Sequence, residues 1–392
     1  MKKTLLVSAA VVAGLMAGPM GIASAGASTA TNDDVTTIAV FGDNPYGINP
    51  ADVSQNLALP GFVDSINADP DVRTVLHVGD IHSGKQFCTQ AYDQFVFDSW
   101  TRFADPLVYT PGDNEWADCH KKAEGGGTYN PATGAIDYVL DANGNQVDYA
   151  GGDPAANLAL VRSTFFAKPG KTLGINARKV LSQATAYDRK FPGDKAFVEN
   201  VIWEQDDVVF VTANVPGGSN NDQDVWYGAP TESATQKALR EARTGATLRW
   251  LDKAFAVAKE ERAKAVVITA QADMWDPEKG AAHQTGYEPI VAKVAALTTA
   301  FGKPVLMFNG DSHTYRSDNP LSPTAGCTWE LATPCVSDYP IHPGYDVPNF
   351  HRVVVHGSTF PLEWLKLTID TSRNGSGDTA FGPFSWVRQP VA

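Results

Sequence analysis

Four short apolar runs in this chain each end in a Gly-Asp turn, and that recurrence restricts the fold more than any other feature of the sequence. Thr36 to Val40 leads into Phe41-Gly42-Asp43, and Thr74 to Val78 into Gly79-Asp80. Pro106 to Thr110 leads into Pro111-Gly112-Asp113-Asn114-Glu115, and Val305 to Phe308 into Gly310-Asp311-Ser312-His313. Such short runs, mostly apolar or β-branched, read as strands buried on both faces. Helical patterns at about 51–67 and 91–103 separate the first three, the second presenting Phe95, Trp100 and Phe103. Strand and helix in alternation predict an α/β fold with a parallel sheet of βαβ units, whose ligand sites lie at the carboxyl ends of the strands.

The rest of the chain extends that pattern. Residues 157–167, 233–262 and 287–301 have helical spacing, with Leu248, Leu251 and Phe255 as core positions of the second. Strands are expected at 197–203, 208–215, 351–355 and 362–369, and at 265–270, where the run ends in Gln271-Ala272-Asp273. The segment near 120–153 is rich in Gly and Asn and reads as a surface insertion, with Asn143-Gly144 as a hairpin turn. With no repeat and no linker, residues 26–392 are expected to form one domain.

Composition narrows the function classes. A net charge of −13 disfavours general nucleic-acid binding, because an acidic surface repels phosphate backbones. Lys2 and Lys3, the apolar run Leu5 to Met16 and Ala23-Ser24-Ala25 make residues 1–25 a signal peptide. The mature chain holds no stretch of the ~18 apolar residues that a span needs. The protein is therefore expected to be secreted or retained in the cell envelope or periplasm. In an oxidising compartment its four cysteines suggest disulfides, and of three possible pairings Cys327–Cys335 with Cys88–Cys119 is favoured. No Gly-x-Ser-x-Gly elbow, His-Glu-x-x-His or phosphate-binding Gly-rich loop is present.

A single Gly-Asp turn carries no weight, since both residues are ordinary in turns. Four of them place Asp43, Asp80, Asp113 and Asp311 on one rim with Gln271 and His313. Carboxylates so gathered repel one another unless a cation neutralises them. An oxygen-rich set with one His suits Mg, Mn, Ca, Fe or Zn, as one ion or two.

In this order the turns resemble the motifs of the calcineurin-like metallophosphoesterase family. Its signature is Asp-x-His, Gly-Asp, Gly-Asn-His-Asp/Glu, a lone His and Gly-His-x-His. The corresponding positions here read Asp43-Asn44-Pro45, Gly79-Asp80, Gly112-Asp113-Asn114-Glu115, Gln271 and Gly310-Asp311-Ser312-His313. Pro-Gly-Asp-Asn-Glu-Trp at 111–116, Gln271-Ala272-Asp273 and the Gly-Asp-Ser-His turn are similar to a secreted bacterial branch. The resemblance covers most of the mature chain and implies a two-sheet αββα sandwich. It also implies an exported metal-dependent phosphoester hydrolase, in which a metal-bound hydroxide attacks phosphorus in line. Asp80 would bridge two divalent ions, Asp43 and His313 would hold one, and Asp113, Gln271 and Asp311 the other. A small phosphoester is the implied substrate.

The departures from the family bear on catalysis. Pro45, Asn114, Gln271 and Asp311 stand where the family has histidines, and Asp113 replaces an Asn. Asn114 occupies the position of the His that assists the leaving group, and an amide donates a hydrogen bond but no proton near neutral pH. His82, in Asp80-Ile81-His82, is the candidate replacement, and Arg316 is a candidate bidentate clamp on phosphate. Tyr46, Trp116 and Trp275 are either an aromatic wall of the site or core packing. The lost histidines support an alternative, a non-catalytic binding protein on a degenerate fold of this type.

Overall fold

The computed structural model describes residues 35–391 except 222 and 278; the expected signal segment lies outside the described residues. The first three apolar runs form parallel neighbours, β1 (Val35–Phe41), β2 (Val72–His77) and β3 (Leu107–Tyr109). Helices α1 (Ser54–Asn67) and α2 (Gln90–Trp100) make the crossovers. These strands are almost wholly buried because both faces are covered. Ala39, Phe41 and Val75 pack against Leu59, Phe62, Val63, Val96 and Trp100 of the helices. Ile38, Val40 and Leu76 point the other way, into a second sheet.

Beyond β3 the chain makes a hairpin, β4 (Gly127–Tyr129) and β5 (Ile136–Tyr138), outside both main sheets, and then α3 (Pro154–Phe165). Around Asn143-Gly144 the expected turn appears as a smaller closure, with Leu140 bridged to Gln146. Next come β6 (Leu181–Ser182), β7 (Val201–Gln205), β8 (Val208–Thr212), α4 (Ala234–Glu260), β9 (Ala265–Thr269), α5 (Glu288–Phe301) and β10 (Val305–Asn309). The chain continues through β11 (Arg316–Asp318), β12 (Cys327–Trp329), β13 (Phe350–Val354) and β14 (Leu362–Asp370). It ends in β15 (Gly375–Gly377), β16 (Ala380–Gly382) and β17 (Phe384–Val391).

One sheet has the order β15-β16-β17-β14-β1-β2-β3, the other β12-β11-β13-β10-β9-β8-β7-β6. Val267, Leu306 and Phe308 of the second sheet meet Val40, Leu76 and Leu367 of the first. Its outer face carries Trp250 and Leu251 of α4 and Ile290 and Val291 of α5 on Val209, Val266 and Met307. The layers are therefore helix, sheet, sheet and helix, an αββα sandwich of the α/β class. Truncating a residue as deep between the sheets as Phe210 to Ala costs about 3–5 kcal/mol.

The two sheets expected of the sandwich are present, and the parallel βαβ units form part of each. β1–β2–β3 and β8–β9–β10–β13 are parallel, whereas β14, β17, β7 and β11 join antiparallel. Antiparallel neighbours need only short connections, as between β7 and β8, while parallel ones need a crossover. Helix ends follow local chemistry. Thr89, Asp153 and Ser233 cap α2, α3 and α4 by accepting from the backbone N–H of Tyr92, Ala156 and Gln236. The cysteines are joined as Cys88–Cys119 and Cys327–Cys335.

Candidate metal centre

The parallel strands of both sheets deliver their polar residues to one rim. Asp43 follows β1, Asp80 follows β2, Asp113 follows β3, Gln271 follows β9, and Asp311 and His313 follow β10. Backbone bonds tie these loops together: Asp43 N donates to Gly79 O, Gly310 N to Gln271 O and Gly357 N to His313 O. The glycine before an Asp has a steric cause here. A Cβ on Gly112 would lie 1.8 Å from Asp80 Oδ1, and one on Gly310 would lie 2.0 Å from Asp43 Oδ2. Asp43, Asp80, Asp311 and His313 all have positive φ, between 53° and 73°. Left-handed backbone costs a non-glycine residue roughly 1–2 kcal/mol, so the surrounding structure must hold these four in place.

Two triads result, with Asp80 common to both. Ligand atoms of Asp43, Asp80 and His313 all lie within 4.8 Å of one another, as do those of Asp80, Asp113 and Asp311. His313 Nε2 is 3.5 Å from Asp43 Oδ1. Asp80 Oδ2 accepts from Tyr46 Oη (2.9 Å), Asn114 Nδ2 (3.1 Å) and Gln271 Nε2 (3.0 Å). Asp311 N donates to Asp43 Oδ1 at 2.9 Å. Burial, reinforced by the neighbouring negative charges, raises Asp43, Asp80 and Asp311 well above the usual carboxylate range. Asp113 is pushed up to about 8, by burial first and the Asp118 charge second. Burial also lowers His313 to about 4, so its imidazole is neutral near pH 7 and keeps a lone pair for a cation.

These residues fit a divalent ion on two observations. Asp43 Oδ2 is buried without any hydrogen-bond partner. The donors are carboxylate oxygens with one neutral imidazole, a set matched to hard or borderline ions. A cation here would be held by Asp43, Asp80 and His313, and a second by Asp80, Asp113 and Asp311.

Three expected participants are placed otherwise. Gln271 lies at the rim but does not present an oxygen. Its Oε1 accepts from Gly217 N at 3.0 Å, and its Nε2 donates to Asp80 and, at 3.1 Å, to Asp113 Oδ1. Turning the amide over would set N–H against N–H at Gly217, so Gln271 neutralises carboxylates by donation rather than by binding metal. His82 is fully buried and points away: its Nδ1 is 3.1 Å from Ser83 O and its Nε2 3.5 Å from Cys88 Sγ. The triad of His82 with Cys88 and Cys119 is no metal site, because both sulfurs are spent in a disulfide. Arg316 is withdrawn into ion pairs with Asp318 (2.6 Å) and Asp338 (3.0 Å) and cannot clamp a phosphate at the triads. Asn114 reaches the cluster, and its Nδ2 is occupied by Asp80 Oδ2 and Tyr46 Oη. Trp116 and Trp275 are core residues, the first beneath Arg243 and the second against Phe350.

A cavity of about 310 Å³ opens on the triads. Lys121, Lys279 and the His283 imidazole line it together with Asp80, Asp113 and Asp311. Lys121 is already held by Asp118 (2.5 Å) and Asp224 (2.9 Å). Lys121, Lys279 and His283 were not expected from the sequence. The available signal was position, since Lys279 and His283 belong to the loop that follows β9 at the ligand-bearing edge.

No protein-family model and no curated protein matches the chain. Among solved structures it is similar to a purple acid phosphatase from yellow lupin (Lupinus luteus) seeds, with 14% identity over 91% of this chain and 51% of that one, at a TM-score of 0.41. It is also similar to a protein assigned as a 5′-nucleotidase from Staphylococcus aureus, with 10% identity over 91% of this chain and 54% of that one, at a TM-score of 0.37. The chain spans about half the length of each.

Proposed function

We propose that this protein is an exported metal-dependent phosphoester hydrolase of the metallophosphoesterase type. The observation that carries this is the shared carboxylate: Asp80 belongs to two ligand triads supplied by the ends of strands from both sheets. A divalent cation at such a site lowers the pKa of bound water and offsets charge on phosphoryl oxygens. The chain's own residues supply the rest. Asp43, Asp80 and His313 would hold one cation, and Asp80, Asp113 and Asp311 a second. Lys279 and His283 face incoming phosphate across the cavity. Tyr46 and Asn114 fix Asp80 Oδ2 so that its carboxylate plane does not turn. Export is supported by the signal-like start and by two disulfides. No helix among the described residues is long and apolar enough to cross a membrane.

The test is hydrolysis of an aryl phosphate monoester and diester with added Mn, Mg, Zn or Ca, repeated with Asp80→Ala, alongside the metal content of the purified protein. Metal-dependent turnover lost in Asp80→Ala is the expected result. No turnover with any ion, together with no bound metal, would sink the proposal.

The donor contacts of Gln271 favour a second reading, a binding protein that keeps at most one cation. An amide already bonded to Asp80 and Asp113 does part of a second ion's work. Tight binding of one metal equivalent without turnover of either ester is the result that selects it.

A further inference from the structure

Behind the 310–313 turn lies a group of buried charges that the proposed function does not use. Arg352, on β13, is fully buried. Its Nη1 donates to Asp273 Oδ1 at 2.5 Å and its Nε to Asp318 Oδ1 at 2.8 Å. Its Nη2 donates to Asp318 Oδ2 and Asp338 Oδ2, both at 2.7 Å. Arg316 closes the network from β11 against the same two carboxylates. Three carboxylates and two guanidiniums are therefore buried together, none more than 5% exposed. Desolvation offsets most of the attraction in such a group, so it is a poor device for stability alone.

What the network does fix is the position of Asp273, the member that faces the site. Asp273 N donates to Asp311 Oδ2 at 3.1 Å, and Asp273 Oδ2 accepts from Ser312 Oγ at 2.8 Å. Ser312 sits between Asp311 and His313, both with left-handed backbone. The turn's bonds to Asp43 Oδ1 and to Gly357 N come from other loops of the rim, whereas Asp273 is anchored in the interior.

We propose that Arg352 is a positioning residue for the metal centre: by fixing the Asp273 carboxylate it holds the 310–313 turn so that Asp311 and His313 present their ligand atoms to Asp80. An arginine is required because one planar fork engages three carboxylates at once, which a lysine ammonium cannot do in the same geometry. This deepens the function proposed above and rests on it only where a cation is concerned.

The test uses Arg352→Lys, which keeps the charge, and Ser312→Ala, which removes one contact and touches no ion pair. Hydrogen exchange at the amides of 311–313 is measured without metal, and Mn²⁺ binding by calorimetry. Arg352→Lys is expected to speed exchange in the turn and weaken Mn²⁺ binding, each roughly tenfold, with exchange in β9 and β10 unchanged. Ser312→Ala is expected to do the same to a smaller degree, and it carries the test if Arg352→Lys does not fold. Wild-type exchange and Mn²⁺ affinity in the folded variants would overturn the inference. Wild-type protein that binds none of Mn²⁺, Mg²⁺, Zn²⁺ and Ca²⁺ would overturn the hydrolase proposal alone, with exchange still deciding the role of Arg352.

Discussion

Gln271 shows how one side chain changes the balance of the site. Its two N–H groups stand between Asp80 and Asp113 and relieve a repulsion that a cation would otherwise relieve. Hydrogen bonds to charged groups contribute about 1.5–3 kcal/mol each, so removing the amide uncovers a substantial cost. Gln271→Ala should lower the melting temperature of metal-free protein, and saturating Mn²⁺ should raise it by more than in wild type. A calorimetric scan with and without Mn²⁺ measures both; equal metal-induced shifts would show that Gln271 does not compete with a cation. Gly310 gives a steric counterpart. A methyl group there must displace the Asp43 carboxylate, whose Oδ2 lies 2.0 Å from where its Cβ would be. Gly310→Ala is therefore expected to weaken Mn²⁺ binding at least tenfold, about 1.4 kcal/mol, as read by titration calorimetry.

At the scale of elements, the Cys88–Cys119 disulfide ties the segment after Asp80 to the loop after β3, and both sulfurs lie against Asn114 O. Closing 31 residues restricts the unfolded chain by roughly 3–4 kcal/mol. Cys88→Ser with Cys119→Ser should lower the denaturation free energy by that order and loosen the Asp113 loop, so that metal affinity falls as well. Unchanged metal affinity in the folded double variant would confine the disulfide to stability. How far such elements were legible follows from what sets them. β1, β2, β3 and β10 could be read because burial on both faces leaves mostly apolar runs, and Asp43, Asp80, Asp113 and Asp311 lie just past their carboxyl ends. β15 and β16 could not, since short Gly-rich strands at a sheet edge carry little pattern. His82 and Arg316 were misassigned for another reason. Spacing places a residue at a strand end, but only packing decides whether its side chain faces the rim, the disulfide or a buried Asp pair.

For the molecule as a whole, buried titratable groups pull stability in opposite directions with pH. Burial lowers His77 to about 3 and His82, His120 and His351 to about 4, against about 6.5 in an unfolded chain. Between those values the unfolded state binds protons that the folded state refuses. Their contribution is thus complete above pH 6.5 and is lost as pH falls toward 4. The site carboxylates act with the other sign. Asp113 is pushed up to about 8, and Asp43, Asp80 and Asp311 are raised too, so the unfolded chain releases protons first as pH rises past about 4. Metal-free protein loses stability over that range, and a bound cation cancels the loss by favouring the ionised carboxylates. Between about pH 4 and 6.5 the two contributions oppose each other, so without metal the melting temperature should change little there and decline from about pH 6.5 toward pH 8. With saturating Mn²⁺ the alkaline decline should vanish and the histidines' decline below about pH 6 should emerge. Asp80→Asn, which cannot ionise, should flatten the alkaline limb without metal and respond weakly to Mn²⁺. If the alkaline limb were flat in wild-type protein with no metal present, the four carboxylates would not be coupled as the two triads require, and the case for a cation centre would fail with them.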